Sequence, residues 1–311
     1  MKKWSNKSIA FISIFVSITV IMLIISVRIF PPSILPTFKY SVVGLPVKLT
    51  GFIFGPIVGF LTGVLSDLIT FMFVPSLYSI FYTFYLGVTG FIPGIFFWIF
   101  IKQGKKFFAN ASIIKRHEDK IEVLQAQLIS ENDETKRKMI EQKISLLQTK
   151  IKKTEALKYN KHWLNFSWIT NSIIIFIVVV CIATTIYFIP DEIIKKNKFI
   201  NKKLYGILLV VFGSTSMIIF LLFARFFKFF IRNEMYLRMA PIVAFSALHE
   251  PLGNVIIAFG DVQSGVLDSF ETSLISHFLT SPIKIWINLS VIYLTSSIII
   301  PMVNNKSFYS Y

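Results

Sequence analysis

The sequence predicts an all-α integral membrane protein, and three observations carry that expectation. First, 54% of the 311 residues are hydrophobic, 33 of them phenylalanine, and the mean hydropathy is +0.68, well outside the averages of soluble domains. Second, several runs of close to twenty residues carry almost no charge, the length a helix needs to cross about 30 Å of hydrocarbon. These runs are continuous rather than alternating, which excludes the pattern of a membrane barrel. Third, the formal charge is +16, but the basic residues collect at the ends of apolar runs and in one polar insert. That distribution fits cytoplasmic loops and anionic lipid, not nucleic acid.

The elements follow in order. Residues 1–7 and the run 8–30 resemble a signal peptide, but the run is long and no small-residue cleavage site follows it, so it reads as a retained first helix. Pro31-Pro32 ends it. A short helix over 40–54 is separated from a third, ending near Phe73, by the turn pair Gly55-Pro56. A fourth covers 82–101. Composition then changes: Ile121, Leu124 and Leu128 form one heptad-like stripe and Ile140, Ile144, Leu147 and Ile151 another. The turn-forming stretch from Ser130 to Asp133 divides them, which predicts an antiparallel helical hairpin. Spans over 166–189, 204–227 and 237–259 follow, with a basic loop at 191–203. A long last span over 274–303 is expected to tilt or break at Pro282 and Pro301. Three regions result: helices 1–4 in 1–104, a polar coiled-coil-like insert in 105–163, and the remaining spans in 164–311. With the N-terminus inside, eight spans place the insert in the cytoplasm and the acidic stretch holding Asp261, Asp268 and Glu271 outside.

Chemistry is sparse. No phosphate-binding loop of the type Gly-x-x-x-x-Gly-Lys-Ser/Thr occurs, so any ATP is hydrolysed by another chain. No metal or cofactor site is expected: the four histidines are scattered, and the single cysteine, Cys181, sits in an apolar run. Gly51, Gly55, Gly59 and Gly63 recur every four residues, and Gly87, Gly90 and Gly94 do much the same, giving flat edges for close helix approach. Arg28, Lys48, Asp67, Glu250 and Lys284 lie at membrane depth, where each charge costs a few kcal/mol unless paired or hydrated. His249 and Glu250 are adjacent, so about 100° apart around a helix, and are expected to serve different faces.

The run Pro36-Thr37-Phe38-Lys39, Gly44-Leu45-Pro46-Val47-Lys48, Gly51-Phe52-Ile53-Phe54-Gly55-Pro56, Gly59, Gly63 and Ser66-Asp67-Leu68, continued by Thr83, Gly90 and Gly94, resembles the S components of energy-coupling factor (ECF) vitamin transporters, nearest the folate-type branch. Pro46, Gly51, Gly55, Pro56, Gly59, Gly63 and Asp67 carry the motif. The resemblance implies a bundle of six transmembrane helices, here with about two extra spans and the hairpin insert. It also implies a vitamin bound near the outer face of the plasma membrane, and delivery through a coupling transmembrane subunit and two ABC-type ATPases. Ser13 and Ser17 match in size and place the Ala-x-x-x-Ala surface offered to the coupling subunit. The site is expected at the outer ends of helices 1, 4 and the last. Arg28, Lys39 and Lys284 would supply positive charge, Tyr40 and Tyr82 would stack on a ring, and Thr83 would hydrogen-bond to it. Ser79-Ile80-Phe81-Tyr82-Thr83 stands where folate-type members carry Phe-Pro-Gly-Phe-Thr.

Two other readings compete: an intramembrane enzyme using His249 and Glu250, and a scaffold acting through its hairpin. The S-component reading makes a sharp demand of Arg28. A bidentate guanidinium grip on a ligand carboxylate is weakened in Arg28→Lys, because ammonium lacks the planar fork. A loss of about tenfold or more in solute affinity, measured by equilibrium binding, is expected for one charged hydrogen bond. Unchanged affinity would reduce Arg28 to a headgroup anchor.

Overall fold

The computed structural model describes residues 6–29, 43–74, 79–104, 110–131, 133–155, 161–195, 202–227, 231–267 and 269–304. Every regular element among them is helical: α1 (Asn6–Ile29), α2 (Leu45–Phe54), α3 (Pro56–Phe73), α4 (Ile80–Phe97, prolonged by a π-helical turn Trp98–Gln103), α5 (Asn110–Ser130), α6 (Glu134–Glu155), α7 (Lys161–Phe188), α8 (Asp191–Lys195), α9 (Lys203–Phe226), α10 (Asn233–Gln263) and α11 (Phe270–Asn304). Seven of these, α1, α3, α4, α7, α9, α10 and α11, are long and apolar enough to cross a bilayer, one fewer than the eight expected, because the second is the short α2. The ten residues of α2 rise only about 15 Å; residues 40–42, the start of the expected second helix, lie outside the described residues.

Backbone chemistry explains the first half. Gly55 has φ 106, a left-handed conformation that side chains strain. It divides α2 from α3, and Pro56 opens α3 at a position where no N–H is needed. The antiparallel α3 and α4 then approach almost backbone to backbone. Pro56 lies against Gly94, Gly59 against Gly90 and Gly63 against Leu86, so that a Cβ on Gly59 would overlap the Gly90 carbonyl. At the far end of the same register the Thr83 hydroxyl donates to Asp67 at 2.5 Å. Gly51 brings α2 onto the same Gly90 carbonyl. The regular glycines of the sequence are therefore a packing surface shared by three helices.

The second half encloses the first through α10, which packs on α4, α7 and α11. Phe52 of α2 sits at the junction, its ring 5.1 Å from Phe97 and 5.9 Å from Phe245. α11 runs unbroken from 270 to 304, through both prolines at which a tilt or a break was expected. The ring of Pro282 occupies space that Gly213 of α9 leaves open. α10 is also longer than the expected 237–259 and carries Asp261 inside the helix rather than in a loop. The hairpin is as expected. α5 and α6 pack on each other, with Asp133 capping α6 through the Thr135 amide at 2.9 Å.

The glycine contact supplies a direct test. Gly59→Val must push α3 off α4 and is expected to cost about 3 kcal/mol or more, as overpacking against rigid backbone does. Ile57→Ala, at a position exposed on the outer side of α3, is expected to change little. Thermal unfolding of the two detergent-purified variants separates the cases.

Candidate functional site

A helix of period 3.6 presents residues three and four apart on one face. On α11, Ser273, His277, Ser281, Lys284 and Asn288 follow that spacing, and all are buried. On α10, Glu250, Asn254 and Asp261 do the same and are buried too. The two stripes face one another, with α2 and α4 closing the column from the other side.

The deep tier is ionic. Glu250 holds Lys48 of α2 at 3.4 Å through Oε1 and Lys284 of α11 at 3.6 Å through Oε2. Asn288 donates its amide to Glu250 at 3.3 Å and accepts from Lys48 at 3.1 Å. Lys284 also donates to Asn254 Oδ1 at 3.4 Å, and Asn254 donates to Ser281 at 3.0 Å. Buried charges persist only when paired and hydrogen-bonded in this way.

The shallow tier centres on Asp261. It accepts from the Tyr82 hydroxyl at 2.9 Å and from Ser273 at 2.6 Å, and lies 3.0 Å from His277 Nε2. Tyr82 also meets Ser264 at 2.9 Å, and Ser79 donates to Gln263 at 2.5 Å. The N-terminal ends of α4 and α11 and the C-terminal end of α10 are thereby sewn together by polar contacts.

His249 completes the wall on the α4 side. Its ring lies 5.5 Å from that of Tyr85, and its Nε2 is 3.2 Å from the Thr89 hydroxyl. That hydroxyl already donates to the Tyr85 carbonyl, so Nε2 carries the proton and Nδ1 is an acceptor. The Nδ1 atoms of His249 and His277 are both buried without a hydrogen-bond partner. Left unsatisfied, a buried acceptor costs free energy that a donor would recover.

Set against the sequence reading, Lys284 and Tyr82 are in the column. Thr83 is beside it, with its hydroxyl on Asp67 rather than Asp67 on a lysine. Lys39, Tyr40 and the loop at Tyr78 lie outside the described residues, as does the side chain of Arg28. Ser13 and Ser17 are exposed on α1. His249 and Glu250 do face different partners, as neighbours on a helix should. Asn254, Asp261, Ser273, His277, Ser281 and Asn288 were not singled out from sequence, although their spacing on two apolar helices was a usable signal. Among the described residues no group of three or more His, Cys, Asp or Glu is placed to hold a metal ion.

The first four helices also have a counterpart among known families. Residues 3–115 match the family model of the ECF-type riboflavin transporter, S component. The match covers a little over a third of the chain, from α1 through α4 into the start of the hairpin, and supports an ECF S component. It does not single out the folate-type branch. It includes the α2 and α4 walls of the column, Lys48, Tyr82, Tyr85 and Thr89, and stops before α10 and α11. No curated protein and no solved structure matches the chain.

The ionic tier has a measurable signature. Glu250→Gln leaves two buried ammonium groups facing a neutral amide and is expected to cost about 3–5 kcal/mol. The triple variant Lys48→Met, Glu250→Leu, Lys284→Met removes all three charges together and is expected to recover part of that loss. Thermal unfolding in detergent compares them.

Proposed function

We propose that this chain is the substrate-binding S component of an ECF-type importer, and that the polar column between α2, α4, α10 and α11 takes a vitamin from the outer face. The observation that carries the reading is the family match over residues 3–115, because that stretch builds two of the four walls. Delivery would pass through a coupling transmembrane subunit powered by two separate ATPases, with the N-terminus and the hairpin in the cytoplasm, a topology that counts the short α2 as a fourth crossing before the hairpin. The exposed face of α1, with Ser13 and Ser17 among Ile14, Ile18 and Ile21, is free for that subunit.

The chemistry of the column favours a flavin-like solute over a folate-like one. Both buried lysines are engaged by Glu250, and the formal charges of Lys48 and Lys284 are matched in number by the carboxylates of Glu250 and Asp261, so the column has no surplus lysine for a dicarboxylate tail. It offers instead two unpartnered imidazole acceptors, which call for N–H or O–H donors on the ligand. The rings of Tyr85 and His249 pack against each other in the same wall. A neutral molecule with a planar ring and hydroxyl groups meets these demands. Arg28 and Lys39, proposed from sequence alone for the outer rim, are where an anionic ligand would register.

Purification of the chain with its membrane neighbours tests both levels. A coupling subunit and ABC-type ATPases are expected to co-purify, and mass spectrometry of the released solute is expected to show a flavin. A folate would return the assignment to the branch suggested by sequence and shift the site towards Arg28 and Lys39. Recovery of no ATPase and no coupling subunit would sink the importer reading.

A further inference from the structure

The hairpin segregates its charge in a way its seam makes visible. The half-buried positions run Ile114, His117, Ile121, Leu124 and Leu128 on α5, and Ile140, Ile144, Leu147 and Ile151 on α6, the alternating three-four spacing of a coiled-coil seam. The residue preceding each seam position falls on one flank. Because the helices are antiparallel, those flanks coincide on the same side of the hairpin.

That flank carries Arg116, Lys120, Lys136, Lys143, Lys150 and Lys153 and no acidic residue. The acidic side chains Glu118, Glu122, Glu134, Glu141 and Glu155 lie on the opposite flank among Lys115, Lys138, Lys152 and the exposed Ile129, and Lys138 pairs with Glu134 at 3.6 Å. Convergence of the two helices' lysines is independently visible at His117. Partial burial first, then Lys150 of α6 and Lys120 of α5, hold its pKa below the ordinary value. Between the lysines the same flank exposes three aliphatic side chains, Val123 at 59%, Met139 at 53% and Leu146 at 60%.

We propose that this flank is a membrane-docking surface that lies on the anionic leaflet of the bilayer in which the chain is embedded. Charge complementarity and composition select the occupant. A surface of lysines interleaved with aliphatic side chains suits lipid headgroups and the first few carbons beneath them. The anchors usual at a protein interface are tryptophan, tyrosine and arginine, and here they are represented by Arg116 alone. Geometry agrees, since the chain leaves α4 after Gly104 and returns at Lys161. Only five residues on each side, 105–109 and 156–160, separate the hairpin from membrane spans. Such short tethers hold the flank at high effective concentration near the headgroups. The proposal does not depend on which solute the bundle binds.

The test uses the full chain in lipid nanodiscs, with Cys181→Ser removing the native thiol and a spin label attached through Leu146→Cys on the basic flank or Gln148→Cys on the acidic one. In discs containing phosphatidylglycerol, the label at Leu146 is expected to gain access to oxygen and lose access to a water-soluble nickel chelate, while the label at Gln148 stays in water. Pure phosphatidylcholine, or about 0.5 M salt, where the Debye length falls to roughly 4 Å, is expected to bring the two positions together. Lys143→Glu with Lys150→Glu is expected to do the same without altering solute binding by the bundle. Equal water access at both positions in both lipids would overturn the proposal. So would protection of Leu146 that appears only when coupling subunit and ATPases are added, which would assign the flank to an acidic protein surface.

Discussion

Three helices from opposite ends of the chain are held around one carboxylate. Glu250 accepts from Lys48 of α2 and Asn288 of α11 and lies opposite Lys284, so a residue of α10 joins the glycine-rich first half to the last helix. In a bilayer no water is at hand to solvate these groups, and each charge makes the others tolerable. The arrangement confers position more than stability. Replacing the trio by packed aliphatic groups would hold the helices together without saying how far each should slide, whereas a carboxylate with two oxygens and three donors specifies the depth of α2, α10 and α11 at once. The shallow polar tier around Asp261 rests on that registration, since Tyr82 and His277 reach the same carboxylate only if α4 and α11 are at matching heights.

Much of this was legible in the sequence, and the unequal success has physical causes. Membrane helices announce themselves through composition, so the spans from 161 onwards were expected within a few residues. The glycines at 51, 59, 63, 87, 90 and 94 signalled close approach because nothing else in a membrane helix requires such spacing. The hairpin was visible because its two seams repeat and Asp133 interrupts them. What sequence periodicity could not supply was pairing across the bundle. Asp67, at membrane depth by sequence, is held by Thr83 of the neighbouring helix. Asp261 looked like part of an acidic loop, because a carboxylate near a helix end is normally solvated. Its three donors come from α4 and α11, more than a hundred residues away in one case, and no local pattern records them. The partner of Pro282 was equally hidden: its ring packs into space left by Gly213 on another helix.

The two halves of the column differ in what is known of their lineage. α2 and α4 fall inside the stretch matched by the riboflavin-type S-component model, while α10 and α11 fall beyond it. Yet neither half makes a site alone, because the matched half supplies one cation, two tyrosines and a threonine, and the other half supplies every acid, histidine and amide that answers them. If the column binds the proposed solute, preference can change through α10 and α11 while the glycine-packed scaffold is left intact.

One contact at the edge of the bundle has a wider consequence. The π-helical turn that ends α4 releases the Phe100 carbonyl from regular helix bonding, and the Trp163 indole at the start of α7 donates to it at 3.1 Å. The two ends of the insert are thus pinned side by side by the bundle itself, not by the hairpin. Anything spliced between them needs only to begin and finish at neighbouring points, and the entropic penalty of a longer excursion grows slowly with its length. The junction behaves as a socket. A short linker, a reporter domain or an unrelated module could occupy it without redrawing the membrane-embedded part, which makes this the natural place to graft a probe onto the protein.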